Sequence, residues 1–275
     1  MEFKTLKDIE HTEIMACINE AFSDYAIPIH LTENTLKKFF ESSDISTTLS
    51  YCALVQNKVI GFILNSANYY RGEKVVFDAG TGIIPEFRGK GVFTALYAHT
   101  ENELKKNNIK KYYLEVLQQN EQAISLYKKT GFSIVRPLSV FEISKIENKN
   151  PENNIQILPL QKFNFEQTKT CTLVTPSFEN SSDIIYKADT FFNVAFIECK
   201  KEVLAFCIYN KVNGNIMQLG YKNVSALEKI ITYIASHYQT IIAKNIDTTF
   251  HEIVDLLLSI GFKEIAKQYE MVKKL

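Results

Sequence analysis

Apolar positions along this chain fall into two rhythms. Over residues 13–22 and 33–41 they recur every three to four places, the period of an amphipathic helix, and Thr32 stands where an N-cap belongs. Residues 51–56 and 59–65 are short apolar runs around the turn at Asn57-Lys58, the pattern of a β-hairpin. Residues 74–84 read as a further strand interrupted by Gly80 and Gly82, and glycine inside a strand marks a bulge or a close backbone approach. A helix is predicted from about Gly89 to Lys106, with Val92, Leu96 and Leu104 near one face. A strand over 111–117, a helix over 121–130 and extended chain over 132–145, broken at Pro137, complete the first half.

Residues 144–154 are polar, aperiodic and contain Pro151, the signature of a linker. Part of the earlier order then returns. Residues 193–199 and 203–209 read as a hairpin, and Asn213-Gly214 is a turn signal into a strand over 216–221. Ser225 and Glu228 have capping-box spacing before a helix carrying Leu227, Ile230, Ile231 and Ile234, and Thr249 with Glu252 repeats that spacing before Ile253, Val254 and Leu257. Gly131-Phe132 and Gly261-Phe262 end corresponding helices, and each precedes an extended tail. Internal duplication is the simplest account, with a domain over 1–146, a linker over 147–154 and a second domain over 155–275.

Composition narrows the function classes. The 275 residues hold 31 basic and 31 acidic side chains, a balance that argues against broad electrostatic capture of nucleic acid. The first thirteen residues are too polar for a signal-peptide core, and no apolar run approaches a membrane span. The 5 cysteines are an odd number without CxxC spacing, which suggests neither a disulfide framework nor a metal site. A cytoplasmic chain with no nucleic-acid or membrane partner is the expectation, and a homodimer is kept open.

The chemistry concentrates in Pro85-Glu86-Phe87-Arg88-Gly89-Lys90-Gly91-Val92. A glycine turn that opens a helix presents unpaired N–H groups and the positive end of the helix dipole to one spot, which suits a phosphate. No GxxxxGK run is present, and Gly80-Thr81-Gly82 meets Pro85 where a dinucleotide fingerprint needs its third glycine. Further on, Asn120, Ala123, Leu126, Tyr127, Gly131 and Phe132 form the pattern N-x-x-A-x-x-L-Y-x-x-x-G-F. With the RGKG turn, this resembles the GNAT N-acetyltransferases, which transfer acetyl from acetyl-coenzyme A to an amine, over roughly residues 51–132.

The resemblance implies an α/β (mixed α+β) fold of two GNAT-like domains, each a mixed, mostly antiparallel twisted sheet flanked by helices. It implies acetyl-CoA as cosubstrate, no metal, and a small-molecule or peptide amine as acceptor. The amides of Arg88, Gly89, Lys90, Gly91, Val92 and Phe93 would hold the coenzyme pyrophosphate, although Phe93 stands where the family often has a small residue. Gly82, Ile83 and Ile84 would pair with the pantetheine arm, Ile83 or Ile84 would offer the oxyanion N–H, and Asn120 would belong to the coenzyme site. Tyr127 would protonate the leaving thiolate. Glu115, spaced from Tyr127 as in family members acting on ribosomal-protein N-termini, would be the base, with Asp78 or an ordered water as competitors. Asp24, Tyr25 and Tyr70 are the candidate acceptor-binding residues. The second half lacks RGxG and has Leu257 at the tyrosine position, so it is expected to be a degenerate, non-catalytic copy. The rival reading is a non-enzymatic acyl-CoA sensor or an interaction module on the same fold.

Overall fold

The computed structural model describes residues 1–24, 30–147 and 154–275, which leaves Tyr25 and most of the expected linker outside the described residues. The chain forms two compact units, one of Met1–Glu115, Gln122–Ser133 and Met271–Leu275, the other of Val116–Glu121 and Ile134–Glu270.

The first unit begins with a strand the sequence pattern did not suggest, β1 (Glu2–Thr5), followed by helices α1 (His11–Ala21) and α2 (Glu33–Ser42). Thr32 caps α2 as expected, accepting from the Thr35 amide. Strands β2 (Tyr51–Val55), β3 (Lys58–Tyr70) and β4 (Glu73–Ile83) form an antiparallel meander. Gln56 and Asn57 both have positive φ in the first turn, as do Arg71 and Gly72 in the second, the backbone twist that two-residue hairpin turns need. β3 runs on past Asn65, whose buried side chain is satisfied: it donates to the Leu49 carbonyl at 2.6 Å and accepts from Tyr112 Oη at 2.6 Å. Helix α3 (Val92–Lys106) crosses over to β5 (Lys111–Leu117), which lies parallel to β4, and α4 (Glu121–Lys129) follows. The sheet order here is β1-β2-β3-β4-β5.

The second unit contains β6 (Ser133–Ser144, shared at its first residue), β7 (Gln156–Pro159), β8 (Thr172–Leu173), the short α5 (Ser182–Lys187), and the strands β9 (Phe192–Cys199), β10 (Glu202–Asn210) and β11 (Ile216–Tyr221). Helix α6 (Val224–His237), β12 (Thr240–Asp247), α7 (His251–Ile260) and β13 (Lys263–Lys274) complete it, the last strand ending in the first unit. Its strand order is β13-β6-β12-β11-β10-β9-β7, with β8 on β11. The alternation of β10 sorts its side chains between two cores: Ala205, Cys207 and Tyr209 pack with α6 and α7, while Phe206 and Ile208 face Leu160, Phe163 and Ile185.

Three local expectations are corrected. Pro137 does not break β6, which runs through it. Asn223, not Ser225, caps α6, its side chain accepting from the Ala226 amide at 2.9 Å. Thr249 forms no capping box, because its amide and hydroxyl both turn to Asp247 Oδ1.

The duplication is visible in strand register. Asn65 pairs with Asp78 and Leu64 with Gly80, which leaves Ala79 as a bulge. Tyr209 pairs with Ile216 and Ile208 with Gln218, which leaves Met217 as the matching bulge. Four residues past the start of each bulge stands a glycine against a phenylalanine ring: a Cβ on Gly82 would lie 2.7 Å from Phe62, and one on Gly220 2.4 Å from Phe206. Asp78 therefore corresponds to Ile216, Gly80 to Gln218 and Gly82 to Gly220.

Candidate active site

The site of the first unit starts where two strands part. β4 and β5 are in parallel register at Val76–Tyr112, Phe77–Tyr113 and Asp78–Leu114, and pairing stops there. Past Asp78, β4 stays paired with β3, and among the described residues alternate main-chain groups on its other edge meet no strand. The Ile84 amide donates to the Ile60 carbonyl at 3.0 Å, which removes Ile84 from the expected oxyanion donors. Strand alternation turns the Thr81 and Ile83 amides to the open edge instead.

Asp78 sits at the vertex of this splay. Its carboxylate accepts from the Gly80 amide at 3.0 Å, from Thr81 Oγ1 at 2.7 Å and from Tyr127 Oη at 3.4 Å. Burial raises its pKa to about 6, against the lowering effect of those three donors. Tyr127 is held edge-on by Phe93 and Phe132, at centroid distances of 5.9 and 5.6 Å. Its backbone is fixed by the helix end: Gly131 has φ +97°, and the Phe132 amide donates back to the Tyr127 carbonyl at 3.0 Å.

On the same stretch of chain, Gly89 and Gly91 have φ of +71° and +77°, and a side chain at either would meet nothing within 4 Å. Gly91 is the N-cap of α3 and offers no side-chain acceptor, so the first-turn amides, Val92 and Phe93 among them, keep the unbonded N–H groups inherent to a helix start. Lys90 Nζ lies 5.2 Å over the Phe87 ring.

Residues 14–132, which contain this whole arrangement, match the acetyltransferase (GNAT) family. Over that stretch the chain is similar to a GNAT domain. An acetyltransferase of Pectobacterium atrosepticum is 28% identical over 83 residues, 30% of this chain and 56% of that protein. N-alpha-acetyltransferase 30 of Schizosaccharomyces pombe is 30% identical over 84 residues, again 30% of this chain and 56% of the relative. The chain thus spans little more than half the length of these relatives. Among solved structures, a GCN5-related N-acetyltransferase from Sphaerobacter thermophilus superposes with TM-score 0.68 at 12% identity, covering 99% of this chain and 95% of that one. A tandem GNAT protein from the clavulanic acid biosynthesis pathway gives TM-score 0.59 at 9% identity, covering 99% and 98%. At such identities these likenesses establish the fold, two GNAT-like mixed α+β domains.

This GNAT-like unit brings some expected residues together and sets others aside. Arg88 does not face the glycine turn with its charge. Its guanidinium forms a bidentate pair with Asp24 at 2.6 and 3.0 Å, donates to the Ala21 carbonyl at 2.6 Å, and its Nε reaches the Ile83 carbonyl at 3.0 Å. The Arg88 amide is also taken, by Pro85 O at 3.2 Å. Asp24, expected to attract an acceptor cation, is held by Arg88, whose hydrogen bonds lower its pKa. Tyr70 is buried, edge-on to Tyr113 at 5.2 Å, which removes it from an open acceptor surface. Glu115 follows Leu114, the last β5 residue in register with β4. The Asn120 amide donates to the Leu117 carbonyl at 2.9 Å, and Asn120 is counted with the second compact unit. Thr81 was missed by sequence reading; the signal was the D-x-G-T spacing, which lets one carboxylate bond the groups two and three residues on.

Proposed function

We propose that the chain is an acetyl-CoA-dependent N-acetyltransferase, with the reaction in the first unit and direct attack by a primary amine while donor and acceptor are bound together. The observation that carries this reading is the Asp78–Tyr127 pair at the vertex of an open strand splay. Two further features fit the two ends of the cosubstrate. The N–H groups opening α3, with unobstructed Gly89 and Gly91 before them, suit a pyrophosphate. The main-chain groups of Thr81 and the Ile83 amide suit the amides of a pantetheine arm, the Ile83 carbonyl being held by Arg88 Nε.

Acetyl-CoA supplies a thioester whose leaving thiolate has a conjugate pKa of about 8.5. As the amine nitrogen bonds the acyl carbon and the C–S bond breaks, nitrogen loses one proton and sulfur gains one. Tyr127, a phenol of ordinary pKa about 10, is the group that donates to sulfur. Asp78 orients the phenol by accepting from it and, ionised above about pH 6, accepts the proton the amine gives up. Glu115 is the competing base. The Ile83 amide is the proposed oxyanion donor in place of Ile84. The buried cysteines take no part: burial pushes Cys52 up to about 12 and Cys17 and Cys207 further up.

The second unit is proposed to be non-catalytic, with Ile216 and Leu257 at the positions of Asp78 and Tyr127. The acceptor is a small-molecule or peptide amine, and a peptide α-amine belongs on the panel because one relative is named an N-alpha-acetyltransferase. The test follows free thiol release from acetyl-CoA with that panel. Amine-dependent release is expected to fall about 100- to 1,000-fold in Tyr127→Phe with coenzyme binding retained. Coenzyme binding without turnover on any amine overturns the reading.

A further inference from the structure

Asp78 is held by three donors of unequal reach. The Gly80 amide donates to Oδ1 at 3.0 Å, while Oδ2 receives two hydroxyls, Thr81 Oγ1 at 2.7 Å and Tyr127 Oη at 3.4 Å. A hydroxyl has one proton to give, and its bond to a carboxylate is strong at about 2.5–2.7 Å and weak well beyond that. Thr81 therefore makes the firm bond on Oδ2, and Tyr127 makes the loose one. The strand maintains this order: Gly80 pairs with Leu64 and Thr81 with Ile63, so both residues following the bulge are fastened to β3.

A phenol gripped by a carboxylate gives up its proton less readily to a third group, whereas a loosely held phenol can pass it to sulfur. We propose that Thr81 is a positioning residue for acetyl transfer: by occupying Asp78 Oδ2 it fixes the carboxylate and keeps the Tyr127 proton available to the leaving thiolate. The proposal rests on the acetyl-transfer reading. As the C–S bond breaks, the Tyr127 O–H bond breaks and sulfur gains that proton. The phenolate takes a proton back from Asp78, which has gained one from the attacking amine, and the Thr81 hydroxyl keeps its own throughout.

The test uses the full chain and Thr81→Val, which removes the hydroxyl and keeps the branched shape and the main chain. Denaturant unfolding against pH reads Asp78 with no substrate present. In the native chain the stability loss that begins near pH 4 should level off at about pH 6. Without the Thr81 donor the buried carboxylate is harder to ionise, and the loss should continue to about pH 7. The titratable groups bearing on Asp78 are Tyr127 of α4, Tyr112 of β5 and Tyr97 of α3, and burial pushes the last two above their ordinary range.

Amine-dependent thiol release is the second readout. Thr81→Val is expected to lower kcat about tenfold, to leave KM for acetyl-CoA unchanged, and to carry the acid limb of kcat/KM up by about one pH unit. Thr81→Ser, which keeps the hydroxyl, is expected to restore all three. Thr81→Ala gives the same readouts should the valine not be accommodated. A stability curve that does not move overturns the hold of Thr81 on Asp78, whatever the activity. A curve that moves while kcat stays at the native value overturns the role in transfer. Absence of turnover in the native chain overturns the acetyl-transfer reading and the transfer role with it, while the stability curve still decides whether Thr81 holds Asp78.

Discussion

The two units carry the same strand splay, and they treat it in opposite ways. In the first, β4 leaves β5 at Asp78–Leu114 and its far edge beyond that point is open. In the second, β11 meets β12 only at Ile216–Ala243, and the edge beyond is filled by the chain itself. Thr172 and Leu173 pair with Tyr221 and Gly220, and the Val174 amide donates to the Leu219 carbonyl at 3.1 Å. Asn180 then bridges the gap, donating to the Lys244 carbonyl at 2.8 Å and accepting from Gln218, which replaces Gly80. The helix starts differ in the same sense: α3 opens on a bare Gly91, α6 on Asn223, whose side chain already satisfies an N–H. A notch becomes a binding site only when the chain leaves its hydrogen-bonding groups unanswered, and the second unit answers them internally.

The largest effect is expected from loosening the filled notch. Arg136 donates to the Thr175 and Pro176 carbonyls of the filling segment at 2.7 and 2.8 Å, and to Asp247 and Glu270, both buried. Arg136→Met strands two buried carboxylates, so denaturant unfolding should show a loss of about 3–5 kcal/mol. Hydrogen exchange at Val174 should accelerate, and coenzyme should still fail to bind the second unit, because no RGxG turn stands there. Coenzyme binding to the loosened unit would mean that the filling segment, and not the missing turn, distinguishes the copies.

The next effect concerns the vertex residue itself. Asp78 has an ordinary unfolded pKa of about 3.9 and a folded value of about 6. Below pH 4 both states are protonated and its burial costs nothing. As pH rises towards 6 the unfolded chain ionises first, and roughly 3 kcal/mol of stability is lost. Asp78→Asn should remove this fall from the pH–stability curve, and with it the acid limb near pH 6 of the kcat/KM profile. The titratable groups bearing on Asp78 are Tyr127, Tyr112 and Tyr97, and burial pushes the Tyr112 and Tyr97 phenols above their ordinary range, away from that window. A limb that persists in the variant assigns the base to Glu115.

Much of this contrast was legible in the sequence, and the reasons for the remainder are physical. Leu257 for Tyr127 and the missing RGxG are residue identities at fixed offsets from Gly261, so they could be read directly. The role of Arg88 could not: an arginine beside a glycine turn looks like an anion ligand, and only the fold shows Asp24 reaching it across more than sixty residues. The filling segment was equally hidden, because β8 is two residues long and carries no periodic signal. Asp78 lay between these extremes, named for its charge and chosen by its burial.

The smallest effects test the helix starts. Gly91→Ala places a Cβ at φ +77°, a strain of about 1–2 kcal/mol, and its space is otherwise open, so weakened coenzyme binding would arise from shifted amides and not from a clash. Asn223→Ala should cost about 1 kcal/mol by freeing the Ala226 amide, with no change in coenzyme binding or turnover. The pair separates two uses of one structural position. Where a side chain caps the helix, its removal reads out as stability alone; where the chain withholds a cap, a change should read out chiefly as ligand affinity. Equal losses of affinity in both variants would place a coenzyme contact in the second unit and break the distinction between the open and the filled notch.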